Sequence, residues 1–247
     1  MRKWEELPDE MRNEEVRYYY DILCKKKFSL AMKRLFDIVV SAIMLVILSP
    51  VFLILAIAIK VDSFGPVFYR QERVTKYGKR FRIHKFRTMV NNADKKRSFV
   101  TVKNDSRVTR VGSLIRKCRL DEISQLIDVF LGDMTFVGTR PEVVKYVERY
   151  APVMMATLLL PAGVTSEASI LYRDEDKLLD GAENVDDVYV EKVLPGKMYY
   201  NLKSIERFGF LRDMETMFKT VFAVMGKNYE ADKVGEAEFR ALIEKKY

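Results

Sequence analysis

The chain is poor in the residues that build most metal centres. Its 247 residues include two cysteines and one histidine. Two distant thiols, Cys24 and Cys118, cannot form a disulfide framework, and no Cys/His cluster indicates zinc. A single histidine excludes multi-histidine metal sites, and no Ser/His/Asp set can be assembled around it. This use of cysteine fits a reducing, cytoplasmic setting.

Glycine-rich nucleotide loops are also missing. Neither a Walker A sequence nor a GxGxxG sequence occurs among the 11 glycines, which excludes the two commonest phosphate-binding loops. The net charge of +8 favours polyanionic partners such as nucleic acid, acidic lipid head groups or phosphorylated substrates. A basic surface without a specific partner is the alternative.

One long apolar run is present. Ile38–Ile59 holds 22 residues without a charge, enough to cross a hydrocarbon core at about 1.5 Å per residue. Basic residues flank both ends, although they normally stay on the cytoplasmic side of a membrane segment. Pro50 removes a backbone donor and should kink the helix, and Ser49 can offer its hydroxyl to the freed carbonyl. We therefore expect a re-entrant helix broken at Ser49-Pro50, with a kinked spanning helix as the alternative.

The remaining pattern predicts an α+β fold that is predominantly α-helical. Short strands are expected at Val67–Arg70 and Lys79–Phe86, around a turn at Gly78. Helical apolar spacing marks three later segments, Ile123–Phe130, Pro141–Leu160 and Ile205–Val224, and amphipathic helices beside a membrane anchor can lie at the interface. The expected organisation is an N-terminal helical extension (1–30), a re-entrant membrane helix (31–62) and a cytoplasmic catalytic domain at the membrane interface (63–247).

Asp121 and Glu122 stand where an amphipathic helix is expected to begin. Adjacent helical residues point about 100° apart, so one carboxylate can face a phosphorus atom while the other holds a metal. A helix start also favours bound phosphate, and Arg116 lies immediately upstream. Acidic pairs at helix starts are also common capping features. The residues alone thus indicate phosphate chemistry at a membrane surface, with magnesium.

Other basic residues are candidates for phosphate binding. Lys85 and Arg87 alternate in a strand-like run and share a face, which a purely solvated strand would also show. Arg140 is exposed by the expected turn Gly138-Thr139-Arg140-Pro141, whose alternative is an ordinary turn. His84, the only histidine, receives no role from its pattern.

Several ordered motifs resemble the bacterial sugar transferase family, the monotopic polyprenyl-phosphate phosphoglycosyltransferases. The resemblance covers roughly residues 31–225. Its matching pieces are KRLFD at Lys33–Asp37, Ser49-Pro50, GPVFYRQERV at Gly65–Val74, KFRTM at Lys85–Met89, the segment Arg107–Glu142, and YVEKVLPGKM at Tyr189–Met198.

The resemblance implies a transfer of sugar-1-phosphate from a UDP-sugar to undecaprenyl (polyprenyl) phosphate, with release of UMP. Asp121 matches the nucleophile that forms an aspartyl-phosphosugar, and Glu122 matches a residue that holds Mg²⁺. Arg116 and Arg140 match residues that handle phosphate and nucleotide, and Pro141 completes that turn. Lys33 and Arg34 match the basic entry to the membrane helix, suited to lipid head groups.

The resemblance also implies a setting. The enzyme would act at the cytoplasmic face of the bacterial inner membrane, in the first membrane step of surface glycan synthesis. Membrane lipid is an expected partner, nucleic acid is not, and a homodimer is compatible with this interpretation. Neither the sugar nor the glycan follows from the residues.

Two departures from the family pattern concern specificity. The usual Pro-Arg-Pro turn has Thr139 as its first residue, and the common Pro-Gly-Ile-Thr-Gly stretch is replaced by Pro161–Asp176. Residues 1–30 lie outside the match. Rival interpretations are a membrane-tethered binding protein and an inactive membrane scaffold, both of which would tolerate Asp121→Asn.

Overall fold

The computed structural model describes residues 1–91, 107–173, 175 and 184–246. About 64% of the described residues are helical, which confirms an α-rich fold. The described strands form three two-stranded sheets. The chain divides into two compact units: a first unit of Met1–Phe36, Arg73–Phe81 and Asp133–Tyr247, and a second unit of Asp37–Glu72 and Arg82–Gly132.

The N-terminal residues belong to the core of the first unit. Two 3₁₀ turns, Trp4–Glu6 and Asp9–Met11, precede helix α1 at Glu14–Cys24. Asn13 caps α1, because its side-chain oxygen accepts a hydrogen bond from the Val16 amide at 2.8 Å. The inner face of α1 buries Val16, Tyr19, Tyr20 and Leu23 in a cluster that includes Leu158, Leu159 and Leu202. The boundary predicted at residue 30 stays a prediction; helix α1 ends at Cys24.

Helix α2 runs from Lys27 to Asp62, a length of 36 residues. By length and composition alone it could cross a membrane, since its about 54 Å exceeds a hydrocarbon core of about 30 Å. Large apolar side chains stand out from it, with Val46 73% and Ile47 67% exposed. Such exposure is unfavourable in water and favourable in lipid.

Pro50 lies inside α2 without ending it. The carbonyl of Val46, four residues before Pro50, has no backbone donor to meet at that position. The Ser49 hydroxyl donates to this carbonyl at 2.8 Å, which confirms the predicted role of Ser49. The predicted break is therefore limited to one replaced hydrogen bond, and helical backbone continues on both sides of it.

Four short strands surround the turn at Gly78. They are β1 at Phe68–Tyr69, β2 at Glu72–Val74, β3 at Arg80–Arg82 and β4 at Lys85–Phe86. Strand β1 pairs antiparallel with β4, and β2 pairs with β3. The 3₁₀ turn Lys76–Gly78 joins the inner pair, with φ of 71° at Gly78. Both predicted regions contain strands: Val67–Arg70 contains β1, and Lys79–Phe86 divides into β3 and β4, whereas β2 lies outside both predicted regions.

Aromatic and aliphatic side chains from helices and strands form a hydrophobic core in the second unit. Phe86, 1% exposed, packs against the rings of Phe52 and Phe68 at centroid distances of 5.2 and 5.1 Å. Helices α3 at Arg110–Lys117 and α4 at Gln125–Leu131 complete this unit, and Ile115 of α3 is 1% exposed in the same cluster. Burial of these side chains fixes β4 and α3 side by side.

The first unit contains a parallel pair of strands, β5 at Met134–Val137 and β6 at Ala162–Thr165. Its remaining helices are α5 at Val144–Val147, a 3₁₀ helix at Pro152–Leu159, α6 at Glu167–Leu171, α7 at Val185–Val188, a π-helix at Tyr189–Val193, α8 at Leu194–Glu206, α9 at Phe210–Val224 and α10 at Lys233–Lys246.

Two predicted amphipathic helices are wrong in their extent. Pro141–Leu160 is not one helix, because Pro152 disfavours helical backbone at Ala151 and starts a new 3₁₀ segment. Ile205–Val224 divides at Gly209, whose extended backbone precedes α9. The predicted apolar stripe on α9 does exist, and Leu211 and Phe218 are 80% and 66% exposed. Of the stretch 161–176, residues 174 and 176 lie outside the described residues.

Candidate active site

Asp121 and Glu122 occupy a 3₁₀ turn, Leu120–Glu122, rather than the first turn of a helix. Helix α4 begins only at Gln125. Arg119 enters this turn with φ of 55°, a left-handed conformation that non-glycine residues adopt at some cost. The chain thus leaves α3 sharply and presents two consecutive carboxylates before α4 begins.

Lys85 on β4 joins the two carboxylates. Its Nζ lies 2.9 Å from Asp121 Oδ2 and 3.4 Å from Glu122 Oε1. The Asp121 side chain is 9% exposed, whereas Glu122 and Lys85 retain 21% and 31% exposure. We call Lys85, Asp121 and Glu122 the acidic-lysine cluster. The sequence suggested all three residues separately, and the structure brings them together.

Arg116 lies close to the strand that carries Lys85. Its Nε donates to Thr88 Oγ1 at 2.7 Å. Helix α3 closely approaches the segment just after β4 because Gly112 has no side chain: a Cβ atom there would lie 2.0 Å from the Thr88 carbonyl oxygen. The Thr109 amide also donates to that oxygen at 3.0 Å. Arg116 is thus held within the second unit, to which the acidic-lysine cluster also belongs.

Arg87 has a different position from the one expected. Its side chain is buried, and its two terminal nitrogens donate to the carbonyls of Ser63 and Phe64 at 2.7 and 2.9 Å. These carbonyls directly follow α2 and have no helical partner. Arg87 therefore anchors the end of the apolar helix, and contact with a substrate stays a prediction.

Arg140 and Pro141 belong to the first unit, in the segment that follows β5. The Gly138 amide donates to Thr165 O at 2.9 Å, and the Gly163 amide donates to Thr139 O at 2.8 Å. The Pro141 carbonyl accepts a hydrogen bond from Arg73 at 3.0 Å. These bonds extend the contacts of β5 with β6 past the end of β5, and the predicted tight turn, like the roles of Arg140 and Pro141, stays a prediction.

A small cavity of about 20 Å³, lined by both apolar and polar side chains, adjoins this segment. Thr139, Ser166, Ser204 and Asp213 line it together with Asn201. Among the described residues the buried Asn201 Oδ1 has no hydrogen-bond partner. The space suffices for about one water molecule, which would satisfy that oxygen.

Lys33 lies in the interior of the first unit. Its side chain is 7% exposed, and Nζ lies 2.5 Å from Asp213 Oδ2 and 2.6 Å from the Val137 carbonyl oxygen. A carboxylate and a carbonyl thus bind this ammonium inside the unit, and the expected contact of Lys33 with a lipid head group stays a prediction. Arg34, the next residue, is half-buried, and its lipid contact stays a prediction.

Sequence reasoning missed a histidine–aspartate pair beside the acidic-lysine cluster. His84 Nδ1 lies 2.7 Å from Asp128 Oδ1, and the His84 amide donates to Asp128 Oδ2 at 2.8 Å. Burial raises the pKa of the Asp128 carboxyl, and the hydrogen bonds from His84 oppose that effect. An acidic residue inside the apolar spacing of Ile123–Phe130 was the signal that could have revealed it.

The acidic-lysine cluster has the composition of a magnesium and phosphate site. Among the described residues no group of three or more metal-binding side chains is present. Mg²⁺ is commonly held by one or two carboxylates together with substrate phosphates and water. Two adjacent carboxylates beside one ammonium, one buried and one partly accessible, therefore fit this ion and its phosphate ligands.

Comparison with known proteins identifies the family. The bacterial sugar transferase family matches residues 28–227, and the chain belongs to this family. It is 34% identical over 198 residues to a UDP-glucose:undecaprenyl-phosphate glucose-1-phosphate transferase of Klebsiella pneumoniae, covering 78% of this chain and 40% of the relative.

Two further relatives differ in size. A UDP-N-acetylgalactosamine-undecaprenyl-phosphate N-acetylgalactosaminephosphotransferase of Aeromonas hydrophila is 32% identical over 197 residues, covering 78% of this chain and 44% of that protein. The exopolysaccharide production protein ExoY of Sinorhizobium fredii is 30% identical over 207 residues, covering 78% and 84%. The chain spans less than half the length of the first two relatives.

Proposed function

We propose that this chain transfers a sugar-1-phosphate from a UDP-sugar to undecaprenyl phosphate and releases UMP. The observation that carries the proposal is the acidic-lysine cluster, which lies inside the segment matched by the family. The names of the Klebsiella and Aeromonas relatives describe this reaction with two different sugars. The donor is therefore assigned here only as a UDP-sugar.

The reaction is proposed to proceed in two displacements at phosphorus. A carboxylate oxygen of Asp121 attacks the phosphorus that bears the sugar, and the bond from that phosphorus to the UMP oxygen breaks. A phosphate oxygen of undecaprenyl phosphate then attacks the same phosphorus and regenerates the carboxylate. A covalent intermediate divides one difficult step into two, which predicts ping-pong kinetics.

Lys85 supports both displacements in this proposal. Its ammonium, 2.9 Å from Asp121 Oδ2, keeps the nucleophile oriented and faces the oxygens that gain negative charge during transfer. Charge stabilisation of this kind is commonly the largest contribution to catalysis. Because Lys85 is 31% exposed, a phosphate oxygen can approach it from solvent.

Glu122 is the proposed protein ligand for Mg²⁺, with Asp121 next to it. A bound Mg²⁺ would neutralise diphosphate charge and stabilise the departing UMP. Arg116 and Arg140 are proposed to bind phosphate or nucleotide oxygens, to which guanidinium groups donate paired hydrogen bonds.

We further propose that α2 enters the cytoplasmic leaflet of the bacterial inner membrane and returns to the same face. Support comes from its exposed apolar side chains, from the basic residues at both ends, and from the replaced hydrogen bond at Ser49-Pro50. This location would confine the enzyme and its lipid acceptor to one surface, in the first membrane step of surface glycan synthesis.

Cysteine labelling in intact cells tests this topology. Cys118 is exposed and lies after α2, while Lys26, exposed just before α2, can be changed to cysteine in a Cys24→Ser, Cys118→Ser background. Inaccessibility of both thiols to a membrane-impermeant reagent, until the cells are permeabilised, is expected. Labelling of one thiol from outside would show a spanning helix.

Release of UMP from a panel of UDP-sugars, with undecaprenyl phosphate and Mg²⁺, tests the reaction. Wild-type protein should release UMP from at least one donor and place labelled sugar phosphate on the lipid. Absence of release by folded, lipid-embedded protein would favour a binding protein or a scaffold. Release of UDP would instead indicate direct glycosyl transfer.

A further inference from the structure

His84 is fixed to the α4 side of the second unit by three separate atoms. Its amide and Nδ1 contact the two oxygens of Asp128 at 2.8 and 2.7 Å. Its carbonyl accepts a hydrogen bond from Ser124 Oγ at 2.9 Å. Asp128 is 1% exposed and Ser124 is fully buried. The backbone and the side chain of His84 are thus both held by groups shielded from solvent, where hydrogen bonds are strong.

The tautomer of His84 follows from its second ring nitrogen. Nε2 lies 2.5 Å from Nη1 of Arg70, and a guanidinium can only donate hydrogen bonds. Nε2 must therefore accept, which leaves the single N–H of a neutral imidazole on Nδ1, directed at Asp128. Arg70 is itself fixed by two hydrogen bonds to the Arg82 carbonyl, at 3.2 and 2.8 Å.

The same contacts locate the backbone from which Lys85 extends. Lys85 directly follows His84, and its flexible four-carbon stem reaches Asp121 and Glu122. Ser124 Oγ also lies 3.3 Å from the Asp121 carbonyl oxygen, so one hydroxyl links the acidic turn to the strand. A shift of the His84 backbone would therefore move Lys85 relative to both carboxylates.

We propose that His84 and Asp128 are positioning residues for the acidic-lysine cluster, with His84 held as the neutral Nδ1–H tautomer between Asp128 and Arg70. This inference rests on the proposed phosphosugar transfer at the same cluster. Neither residue touches the reacting atoms; they act through the backbone of Lys85.

The single histidine makes the tautomer directly measurable. Protein labelled with ¹⁵N-histidine and embedded in lipid nanodiscs gives one pair of imidazole nitrogen signals, because the chain has one histidine. At neutral pH we expect a protonated Nδ1 and an unprotonated Nε2. A protonated Nε2, alone or in an imidazolium, would overturn the tautomer assignment whether or not the protein is active.

Substitutions at His84 separate positioning from general stability. The amide nitrogen of asparagine can replace Nδ1 as a donor to Asp128, whereas alanine offers no donor. His84→Ala should lower kcat by about 10- to 100-fold, as expected for misplacement near 1 Å, with KM for the UDP-sugar within about 2-fold. His84→Asn should restore most of the lost kcat.

Asp128→Asn provides the second variant. The amide nitrogen of the new asparagine would face His84 Nδ1 and force the imidazole N–H onto Nε2, where it would oppose Arg70. Both the tautomer seen by NMR and kcat should therefore change. Asp62→Asn is a matched control, because the Asp62 carboxylate accepts from the Val111 amide at 3.0 Å and an amide oxygen can do the same. Equal losses of kcat in His84→Ala and His84→Asn would overturn the positioning role.

Inactive wild-type protein would contradict the proposed function, and the NMR measurement would still test the tautomer of His84. Active wild-type protein with unchanged kcat in Asp128→Asn would defeat this inference alone.

Discussion

Two lysine–carboxylate pairs, one in each unit, show how burial separates structure from chemistry. Lys33 and Asp213 in the first unit are 7% and 9% exposed, and a carbonyl also binds the ammonium. Lys85 in the second unit is 31% exposed and faces two carboxylates. The first pair is enclosed and satisfied. In the second, the Asp121 carboxylate is equally buried at 9% exposure, but the Lys85 ammonium and the Glu122 carboxylate, 21% exposed, stay partly accessible to a ligand. A buried ion pair fixes a conformation; an accessible one can do chemistry.

The largest expected effect is a loss of activity on substitution of Asp121, which distinguishes Asp121 from Asp213. Asp121→Asn removes the nucleophilic oxygen charge and should lower kcat for UMP release by about 10³-fold or more, with the thermal midpoint within about 2 °C of the wild-type value. Steady-state assays and thermal unfolding measure the two quantities. Retained activity in this variant would remove Asp121 from the mechanism.

Asp213→Asn should have the opposite profile. Removal of one partner leaves the Lys33 ammonium buried without its counter-charge, which should lower the free energy of unfolding by about 3–5 kcal/mol. Denaturant unfolding in detergent measures the loss. The double variant Lys33→Met, Asp213→Leu should recover most of it, since apolar residues of similar volume avoid the desolvation penalty. An unchanged stability of the single variant would contradict the structural role of this pair.

Lys85→Met should have a smaller effect on catalysis than Asp121→Asn. Loss of one charge-stabilising donor should lower kcat by about 10²-fold, and Lys85→Arg should retain part of the activity because the positive charge remains. Lys79→Met serves as the control, since Lys79 is a largely exposed lysine paired with Asp133. Similar losses in Lys85→Met and Lys79→Met would point to general electrostatics.

Glu122→Gln should give the smallest effect of the series. Loss of one anionic ligand should raise the Mg²⁺ concentration for half-maximal activity by about 10-fold, while kcat at saturating Mg²⁺ changes little. Titration of activity against Mg²⁺ measures the shift. An unchanged titration curve would assign Glu122 a role other than metal binding.

The sequence predicted those parts of the fold that depend on local pattern. The charge-free run Ile38–Ile59 is sufficient to predict a long exposed helix, and Ser49-Pro50 is sufficient to predict the replaced hydrogen bond. Helix ends within apolar stretches were harder, because Pro152 and Gly209 interrupt patterns whose periodicity continues across them. The division of Lys79–Phe86 into two strands, and the existence of β2, also depended on pairing with other parts of the chain.

For the candidate site, the sequence indicated residue types but not their partners. Asp121, Glu122 and Lys85 were singled out separately, and their contact required the fold. Lys33 and Arg87 carried the same basic signal as Lys85, yet burial assigns both to internal contacts. His84 had no pattern around it, since Asp128 lies 44 residues away in the chain.

The covalent intermediate gives the most direct test of the central claim. The protein is incubated with an accepted UDP-sugar and Mg²⁺, without lipid acceptor. The reaction is quenched rapidly, and the mass of the intact protein is measured by mass spectrometry. We expect an added mass of one phosphosugar that is located at Asp121, is absent from Asp121→Asn, and disappears when undecaprenyl phosphate is added. UMP release that needs the lipid acceptor and leaves no adduct would contradict the two-step mechanism.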